Sequence, residues 1–365
     1  MKIVQVQTQA EAAGAQRISE LLGDYLRGQG HEVRTVFMYR KTDAYDRDPY
    51  ADFVMHRRPQ GMLGQLKAAI GLFGYLRRAR PDAVISFQHY GNIFGTIGGR
   101  LAGARRLIAN QSAAPFRSGL PGAASWIDRQ MGRLGLYHSN VVNSAWTEAQ
   151  FAGYPPRYRT HLRRIDHGVA APLRRYDRST ARAAFDLPLG GPLVVTTGRL
   201  TPAKNQLTLI EAIAGLDGVH LALAGAGPAE ATLRDAAVRH GAVNRVHFVG
   251  ELRPARVHEF LAAGDVFAFA SLSETFGLSA VEAAIAGLPV VASDLPVLRE
   301  VLTNGDGQCA GLFAAPQNPV AFRTAIASLF EQPQLGERLS QAGRRLRERY
   351  APEVMGRAYE ALLTE

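Results

Sequence analysis

Short apolar runs alternate along the chain with longer segments in which apolar residues recur every three or four positions. Such runs are typical of buried strands, and such segments are typical of amphipathic helices. In the first half the predicted strands are Lys2–Gln7, Glu32–Phe37, Ala83–Phe87, Arg106–Ala109 and Val141–Asn143, and the predicted helices are Gln16–Gln29, Met62–Arg80 and Ile93–Ala102. In the second half the predicted strands are Leu193–Thr197, His220–Ala224, Val246–Val249, Val266–Ala270 and Pro289–Ala292.

This alternation of strands and helices is typical of α/β proteins with parallel sheets. The segment Asp166–Asp186 has no sustained period, contains Pro172 and is rich in arginine, so we expect it to connect two domains. We therefore predict two doubly wound, Rossmann-like domains, at residues 1–170 and 171–349, whose parallel sheets face each other across a cleft. Ligands of such sheets bind beyond the carboxyl ends of the strands, which directs attention to residues just after each strand.

Composition narrows the class of protein. Of the 365 residues 47% are hydrophobic, yet no run approaches the ~18 apolar residues that a membrane-spanning helix needs. The first residues form a predicted strand rather than the apolar core of a signal peptide. Cys309 is the only cysteine, which excludes an intramolecular disulfide and disfavours a cysteine-built metal site. The sequence therefore predicts a soluble, cytoplasmic protein.

The net charge of +10 is concentrated in the first half of the chain. Residues 1–170 contain 23 lysines and arginines against 12 acidic residues, whereas the remainder contains 19 against 20. Such asymmetry indicates an anionic partner, either nucleic acid or an acidic membrane surface. A general preference for arginine explains it equally well, because only four of the 42 cations are lysines. Nucleic acid is disfavoured because no binding motif and no interleaving of aromatic and basic residues is present.

The segment from His56 to Arg80 forms a basic amphipathic stretch. One face is predicted to hold Leu66, Ala69, Ile70, Phe73 and Leu76, and around it lie Arg57, Arg58, Lys67, Arg77, Arg78 and Arg80. Such a helix can lie on an anionic membrane, or it can pack on its own sheet with the arginines in solvent. The second interpretation is favoured for the apolar face. The charges are still expected to draw the domain towards a membrane that carries a lipid-linked acceptor.

The strongest candidate site follows the predicted strand Val266–Ala270. Glu274 lies in a polar loop, Gly277 permits close approach of the backbone to a ligand, and a helix is predicted from Leu278 to Gly287. The N–H groups and positive dipole end of that helix suit a diphosphate. Glu282 lies beside the buried stripe, where an unpaired carboxylate is unfavourable. Two ordinary structural carboxylates are the alternative explanation.

A second candidate site follows the strand Leu193–Thr197. Gly198 permits a tight turn, and Arg199 and Lys204 bring two cations to a strand's carboxyl end, where they could hold a phosphate. A solvated loop would explain either cation alone, although lysine is rare in this chain. Gly225-Ala226-Gly227-Pro228 follows the next predicted strand and lacks the third glycine of a dinucleotide fingerprint, which disfavours a nicotinamide dehydrogenase.

These motifs occur together in the order and spacing of a known family. The chain resembles the retaining glycosyltransferases of family 4, which have the two-domain GT-B fold. The resemblance rests on Gly198-Arg199-Leu200 with Lys204-Asn205, on Gly225-Ala226-Gly227-Pro228, on Val246–Gly250, on Glu274 and Glu282 with seven residues between them, and on the landmarks Asn143–Thr147 and Asp166–Val169.

The resemblance implies a role for each matching position. The implied donor-binding residues are Gly14, Arg199, Lys204, Gly227, Glu251, Leu252, Glu274, Phe276, Gly277, Leu278 and Glu282. Arg199 and Lys204 would hold the diphosphate, Glu282 the ribose and Glu274 the transferred sugar. Main-chain groups of Phe276, Gly277 and Leu278 would contact sugar and phosphate, and those around Glu251 and Leu252 would contact the base.

The implied reaction moves a hexose-type sugar from a UDP- or GDP-sugar to a glycan, lipid-linked or small-molecule acceptor, with retention of configuration and without a metal. Residues 1–170 would bind the acceptor, and a helix over about 350–365 would return to that domain. Asp46-Arg47-Asp48 resembles a metal-binding triplet but does not closely follow a strand, so a solvated loop is expected there. A nucleotide-sugar epimerase or hydrolase of the same fold and a non-catalytic nucleotide-sugar-binding protein are the alternatives.

The first half departs from the family pattern at two places. Many members have a Gly-Gly pair after the first strand, where this chain has Ala13-Gly14. Many also carry a histidine after a later strand, and the corresponding stretch Ile108–Ser112 has none. His89, after the strand Ala83–Phe87, is offered as a catalytic contact to acceptor or sugar, alongside Glu274, Arg199 and Lys204. A structural hydrogen-bonding role is the alternative for His89.

Overall fold

The computed structural model describes residues 1–11, 13–111 and 122–365 and divides the chain into two units. The first comprises Met1–Gly168 with Pro352–Glu365, and the second comprises Val169–Ala351. These divisions lie within two residues of the predicted ones, and the C-terminal helix belongs to the first unit. Ser112, at the end of the stretch compared with the family's histidine, lies outside the described residues.

The described strands form two parallel sheets. The strands are β1 (Lys2–Ala10), β2 (Glu32–Arg40), β3 (Ala51–Phe53), β4 (Ala83–Phe87), β5 (Arg106–Gln111), β6 (Ser139–Val142), β7 (Leu162–Arg164), β8 (Leu193–Thr197), β9 (His220–Ala224), β10 (Val246–Gly250), β11 (Val266–Phe269), β12 (Val290–Ser293) and β13 (Gly311–Ala314). Their order is β3-β2-β1-β4-β5-β6-β7 in the first unit and β10-β9-β8-β11-β12-β13 in the second. The predicted α/β class with two doubly wound parallel sheets is confirmed.

The helices flank these sheets and follow the chain order expected of α/β units. They are α1 (Gly14–Gly28), α2 (Gly61–Ala79), α3 (His89–Leu101), α4 (Gly122–Arg133), α5 (Ala145–Ala149), α6 (Pro156–Thr160), α7 (Arg178–Ala183), α8 (Gln206–Ala214), α9 (Glu230–Arg239), α10 (Pro254–Ala263), α11 (Leu278–Ile285), α12 (Pro296–Val301), α13 (Pro319–Glu331), α14 (Pro333–Tyr350) and α15 (Pro352–Thr364). Among the described residues, no helix has the length and apolar character needed to cross a membrane.

Both cores are built from strands that are buried along most of their length. Val4 and Val6 of β1 pack with Leu72 and Leu76 of α2 in the first unit. In the second unit the core joins residues of β8, β9, β11 and β12 to α8 and α13. Continuous burial of short apolar strands is typical of a parallel sheet covered on both faces. For this reason the strands can be recognised in the sequence as short apolar runs.

Helix α15 completes the first unit. Tyr359 is 1% exposed, and its hydroxyl donates to Asn110 Oδ1 at the end of β5. Gly356 packs so closely on the Tyr25 ring of α1 that a Cβ there would lie 2.2 Å from the ring. The final helix therefore fills part of the first unit's core.

Helix α2 differs from the amphipathic pattern expected of it. It buries Ala68, Ala69, Leu72 and Leu76, whereas Leu66 and Ile70, predicted on the same face, are 54% and 60% exposed. The two alanines let this side of the helix approach its neighbours closely, so the buried stripe is centred on Leu72. The prediction that the whole apolar face packs on the sheet is wrong for Leu66 and Ile70.

The segment Asp166–Asp186 is not wholly irregular, because it contains α7. The side chain of Asp177 accepts a hydrogen bond from Thr180 N (2.9 Å) and caps the helix. Buried Arg182 then donates to Ala263 O (2.9 Å) and Asp265 Oδ2 (2.8 Å), which fixes the helix to its unit. The strands β3, β7 and β13 were also not predicted, because each spans only three or four residues.

Candidate functional site

The strand order of the second unit's sheet reverses between β8 and β11. These strands are parallel neighbours, and the chain connects β8 to β9 on one side and β11 to β12 on the other. At such a switch point the loops beyond the carboxyl ends leave a crevice for a ligand. The two loops here are 198–205 and 270–277, which carry the two strongest motifs of the sequence.

Lys204 and Glu274 meet across this switch point. The Lys204 Nζ lies 2.5 Å from Glu274 Oε1, and the side chains are 26% and 12% exposed. The ammonium also lies 5.2 Å from the centre of the Phe269 ring. A cation and a carboxylate are thus held at the carboxyl ends of β8 and β11 and remain partly open to solvent.

The two loops are joined by their main chains as well. Leu272 N donates to Ala203 O (2.9 Å), and Ser271 Oγ donates to the same carbonyl (3.3 Å). Asn205, in the left-handed region at φ 53°, donates from Nδ2 to Ala270 O (3.1 Å) and Pro316 O (2.7 Å). Lys204 therefore lies between two residues whose positions are fixed by the neighbouring loop.

Asn205 is a site residue whose role sequence analysis did not identify. Asparagine tolerates the left-handed region better than most residues, so its place directly before a helix was an available signal. Gln206 Nε2 adds a bond to Arg199 O (3.0 Å), which ties the first turn of α8 to the start of the same loop. The Arg199 side chain itself is exposed.

The glycine-rich turn after β9 packs against the loop after β8, backbone to backbone. A Cβ at Gly225 would lie 2.0 Å from Gly198 O, and one at Gly227 would lie 2.3 Å from Leu200 O. Leu200 N donates to Ala226 O (2.9 Å) across the same contact. This packing requires glycine at Gly227 before any ligand is considered, and the predicted donor contact there stays a prediction.

The amino end of α11 lies directly beyond the Glu274 loop. No side chain in the described part of the protein caps this helix. Gly277 occupies its N-cap position at φ 84°, where a Cβ would also meet Leu298 Cδ2 at 2.4 Å. Phe276 is 2% exposed, with its ring edge-on to Tyr350. Only its main chain is therefore available to a ligand. The free N–H groups and dipole of the helix favour an anion at this position.

The remaining predicted residues of the second unit lie farther along its elements. Glu282 is half-buried in α11, one turn beyond Leu278. Glu251 is exposed and Leu252 is half-buried directly after β10, the edge strand of the sheet. The structure thus joins Lys204 to Glu274 by direct contact and gives no such contact for Glu251 or Leu252.

Gly14 and His89 belong to the first unit. Gly14 is the exposed first residue of α1, and His89 is the first residue of α3, four residues before the predicted start of that helix. Helix α3 begins earlier than predicted because Gln88, at φ 63°, turns the chain sharply after β4. The Gln88 Oε1 also accepts a hydrogen bond from Thr8 N (3.0 Å). His89 Nε2 is buried without a hydrogen-bond partner among the described residues.

A buried carboxylate lies near His89. Asp128 is 3% exposed and accepts hydrogen bonds from Tyr137 (2.6 Å) and Tyr158 (2.9 Å). Burial raises the pKa of Asp128, and hydrogen bonds and the charge of His89 offset this only in part. Gln111 donates to Asp128 Oδ1 (3.2 Å), so this glutamine, in the stretch that lacks the family's histidine, has a structural role.

Polar side chains also meet beyond the carboxyl ends of β1 and β2, a cluster that sequence analysis missed. Tyr39 donates to Gln9 Oε1 (2.5 Å), and Glu11 accepts from both Gln9 and Lys41. Glu11 is only 8% exposed. These groups lie on two segments about 30 residues apart and form no local motif, which explains why the sequence analysis did not identify them.

Within the described parts of the chain, no group of three or more histidine, cysteine, aspartate or glutamate side chains is arranged to hold a metal ion. Asp46, in the triplet that resembles a metal-binding motif, lies in a turn and forms a two-pronged ion pair with Arg40 (Nε–Oδ1 2.7 Å). This partner lowers the pKa of Asp46. The carboxylate is thus neutralised by arginine.

Comparison with known proteins adds to this geometry. Residues 177–346 match the family model described as "Glycosyl transferases group 1". The lipopolysaccharide core biosynthesis glycosyltransferase LpsE of Rhizobium meliloti is 33% identical over 186 residues, which is 50% of this chain and 52% of LpsE. The chain spans about half the length, or less, of the curated relatives it matches.

Solved structures match the whole chain. Anabaena HepE, solved in complex with UDP and glucose, is 20% identical and covers 100% of both chains with a TM-score of 0.86. Sucrose-phosphate synthase from Thermosynechococcus elongatus is 21% identical, covers 100% of this chain and 98% of its own, and has a TM-score of 0.83. Residues 177–346 are therefore similar to glycosyl transferases of group 1, and the whole chain has the GT-B fold of these solved structures.

Proposed function

We propose that this chain is a retaining glycosyltransferase that moves a hexose-type sugar from a UDP- or GDP-sugar to a glycan, lipid-linked or small-molecule acceptor. The observation that carries the proposal is the Lys204–Glu274 pair at the switch point of the second sheet, beside the uncapped amino end of α11. The family match of residues 177–346 supports it, as does the likeness to HepE, which was solved with UDP and glucose.

The second unit would bind the donor. Lys204 would meet the diphosphate as a point charge, and exposed Arg199 could add a two-pronged contact from the other end of the loop. Main-chain N–H groups from Phe276 to Leu278 would meet the phosphate or sugar, because the buried Phe276 side chain is turned into the core. Glu282 would bind the ribose, and the chain around Glu251 and Leu252 would contact the base.

Glu274 would contact the transferred sugar. In the proposed reaction an acceptor hydroxyl attacks the anomeric carbon from the face that the diphosphate leaves. The bond from that carbon to the phosphate oxygen breaks, the new glycosidic bond forms, and the departing phosphate oxygen takes the acceptor's proton. Negative charge grows on the diphosphate during this step, so fixed cations and helix N–H groups stabilise the transition state more than the bound donor.

The proposal includes catalysis without a metal. Lys204, Arg199 and the amino end of α11 together supply positive charge where a divalent cation would otherwise stand. Transfer measured in excess chelator should therefore equal transfer in buffer. A loss of activity that magnesium or manganese restores would contradict this part of the proposal.

The first unit would bind the acceptor. Its polar groups beyond the carboxyl edge of the sheet, among them Glu11, Tyr39 and Lys41, suit the hydroxyls of a sugar. His89, whose buried Nε2 has no hydrogen-bond partner among the described residues, is proposed to contact acceptor or sugar. We further propose a cytoplasmic enzyme that makes peripheral contact with an anionic membrane through this basic unit.

The first test is a thermal-shift panel of UDP, GDP, ADP, NAD and short DNA without added metal. A ligand at a hundred times its Kd stabilises by about 2.7 kcal/mol, which raises Tm by a few degrees in a domain of this size. A shift with one nucleoside diphosphate supports the donor site and identifies the base. A shift with NAD or DNA alone would overturn the proposal.

Turnover then separates transfer from the rival activities. The matching nucleotide sugars are incubated with and without candidate acceptors, and nucleotide release and sugar products are followed together. Acceptor-dependent release with an α-linked product from an α-linked donor supports a retaining transferase. Equal release without acceptor indicates a hydrolase, epimerised donor indicates an epimerase, and tight binding without turnover of any donor indicates a binding protein.

A further inference from the structure

The outward face of α2 is covered by no described element and has two chemically distinct halves. Its amino half exposes Met62 (87%), Leu63 (76%), Leu66 (54%) and Ile70 (60%). On an α-helix, 62, 66 and 70 follow one another at four-residue steps, so they form a stripe, and 63 lies beside it. Large apolar side chains grouped this way on a surface mark an interaction site rather than scattered exposure.

Basic side chains accompany the stripe. Lys67, Arg77 and Arg78 are exposed on the same helix, and Arg57 and Arg58 are exposed just before it. The sequence contains no aspartate or glutamate between Asp52 and Asp82. This combination of apolar and cationic side chains without any carboxylate is the pattern of a helix that lies in the interface of an anionic bilayer.

A groove of about 970 Å³ adjoins the carboxyl end of α2, at the amino ends of β4 and β5. Its lining includes Arg77, Arg78, Arg80 and Arg105 with exposed Leu101. Within the described residues, none of these arginines forms an ion pair with a carboxylate. The groove's one acidic residue, Asp82, already accepts from Lys2 N (2.7 Å).

Structural needs explain only part of this arginine cluster. Arg77 and Arg78 lie in the last turn of α2, where cations suit the helix dipole. Arg80, however, holds the left-handed position after the helix (φ 49°), which glycine commonly fills, and Arg105 lies before β5. Four arginines around one groove, none of them ion-paired within the described residues, match a phosphate diester with its two non-bridging acceptor oxygens.

We infer that α2 and this groove form a docking surface for an anionic phospholipid bilayer, in which Met62, Leu63, Leu66 and Ile70 enter the boundary between headgroups and acyl chains and the groove holds a lipid phosphate. The apolar stripe favours a lipid over a nucleic acid, which would meet the arginines alone. The groove lies at the amino edge of its own sheet, opposite the carboxyl edge where acceptor binding is proposed, and α2 runs along the sheet to reach it. The docking surface specifies the membrane contact of the proposed function and does not depend on sugar transfer.

The test uses the full chain and vesicles of phosphatidylcholine, either pure or with 30% phosphatidylglycerol. Sedimentation with the anionic vesicles at low salt, and its loss at high salt or with pure phosphatidylcholine, is the expected result. The double variant Arg77→Gln/Arg78→Gln should lower partitioning about thirtyfold, because each basic side chain near such a surface contributes about 1 kcal/mol. Leu66→Ser/Ile70→Ser should lower it at least as much.

Two matched controls carry the same changes elsewhere. Arg338→Gln/Arg347→Gln removes two exposed arginines of α14, and Leu173→Ser/Leu189→Ser removes leucines that are 100% and 67% exposed in the second unit. Both controls should bind vesicles as the wild type does. All substituted side chains are exposed, so an unchanged Tm verifies that each variant folds.

Four outcomes would overturn the inference: no binding to anionic vesicles, equal losses in the control variants, loss through the arginines but not through Leu66 and Ile70, or a dimer in light scattering that the Leu66→Ser/Ile70→Ser variant dissociates. The UDP thermal shift is measured on the same samples. A normal shift with failed vesicle binding rejects the docking surface and leaves the proposed transfer standing. Vesicle binding with no nucleotide shift rejects the donor site alone.

Discussion

The ammonium of Lys204 lies 2.5 Å from a carboxylate oxygen of Glu274, although 69 residues separate the two along the chain. Parallel neighbours β8 and β11 bring their loops together, and the Asn205 amide keeps those loops joined. The pair is partly exposed, so its energy in the free protein is modest. In the proposed function, the pair holds both charges where the phosphates and the sugar of a donor can reach them.

Lys204→Ala should weaken binding of the active nucleoside diphosphate about 10- to 100-fold, the range for losing a hydrogen bond to a charged group. Calorimetric titration of UDP and GDP measures it. Lys2→Ala is the matched control, because Lys2 pairs with Glu32 at 3.7 Å on the surface of the other unit. An unchanged affinity in the Lys204 variant would remove this lysine from the diphosphate site.

Glu274→Ala should reduce sugar transfer at least ~100-fold while nucleotide affinity stays within about threefold of wild type, because the carboxylate is assigned to the sugar rather than to the diphosphate. The measurement compares kcat with the Kd of the nucleoside diphosphate. Glu230→Ala, which breaks an exposed pair with Arg234 (2.8 Å), should leave both values unchanged. Full turnover by the Glu274 variant would refute its assignment.

Asn205→Ala should raise KM for the donor and lower Tm, since it removes two hydrogen bonds to carbonyls and puts alanine in the left-handed region. Asn205→Gly removes the same bonds but suits that backbone, so it should be more stable than the alanine variant by about 1 kcal/mol. Chemical denaturation and donor saturation curves test both. Equal stability of the two variants would show that backbone conformation contributes nothing here.

Gly227→Ala should destabilise the second unit by about 1–3 kcal/mol, because its Cβ would lie 2.3 Å from the Leu200 carbonyl oxygen, which is main chain and cannot turn aside. Gly190→Ala is the control in the same unit, since nothing lies within 4 Å of its added Cβ. Differential scanning calorimetry compares the two transitions. A Gly227→Ala transition at the wild-type temperature would mean that the two loops separate at little cost.

The protein should lose stability as pH falls from about 6.5 to 4 through His167. Burial lowers the pKa of this histidine to about 4, and Asn143 Nδ2 lies 3.0 Å from its Nε2. Below pH ~6.5 the unfolded chain binds a proton at this histidine and the folded chain does not. The free energy of unfolding therefore falls between pH ~6.5 and 4, by about 3 kcal/mol in total. Burial also lowers the pKa of His138, His220 and His247, which act in the same direction.

Calorimetry of the wild type and His167→Gln between pH 7.5 and 4.5 tests this prediction. The difference between their transition temperatures should shrink or reverse as the pH falls. The exposed His56→Gln variant should follow the wild-type profile throughout. A constant difference between wild type and His167→Gln would contradict a proton-linked role.

Most of the fold was predictable because parallel strands are short, buried and apolar. Strands β8 and β9 begin and end where the pattern predicts, and α11 begins at Leu278 as predicted. The three-residue strands β3 and β7 carry too few residues for any period, and tertiary pairing creates them. Helix α7 did have a local signal, the capping Asp177, which the absence of an apolar period obscured.

The site was predictable where function and local geometry coincide. Lys204 and Glu274 lie in the loops that follow the buried, neighbouring strands β8 and β11, so the rule for parallel sheets brings them to the same edge. The Glu11–Lys41 contact and the hydrogen bond from Asn205 Nδ2 to Pro316 O join segments far apart in sequence. No local sequence pattern predicts either of them. The exposure of Leu66 and Ile70 depends on how α2 is rotated, which the alanines beneath it decide.

The two ends of the second unit, Val169 and Ala351, lie at neighbouring points of the structure. Val169 N donates to Tyr350 O (2.7 Å), and Gly168 packs against Pro352 and Met355. A segment whose two ends are adjacent in the structure can be replaced as one piece, because the replacement need only match those two ends. If the second unit binds the donor as proposed, chimaeras that keep residues 1–168 and 352–365 and receive residues 169–351 from a relative should change the sugar donor while the first unit stays intact.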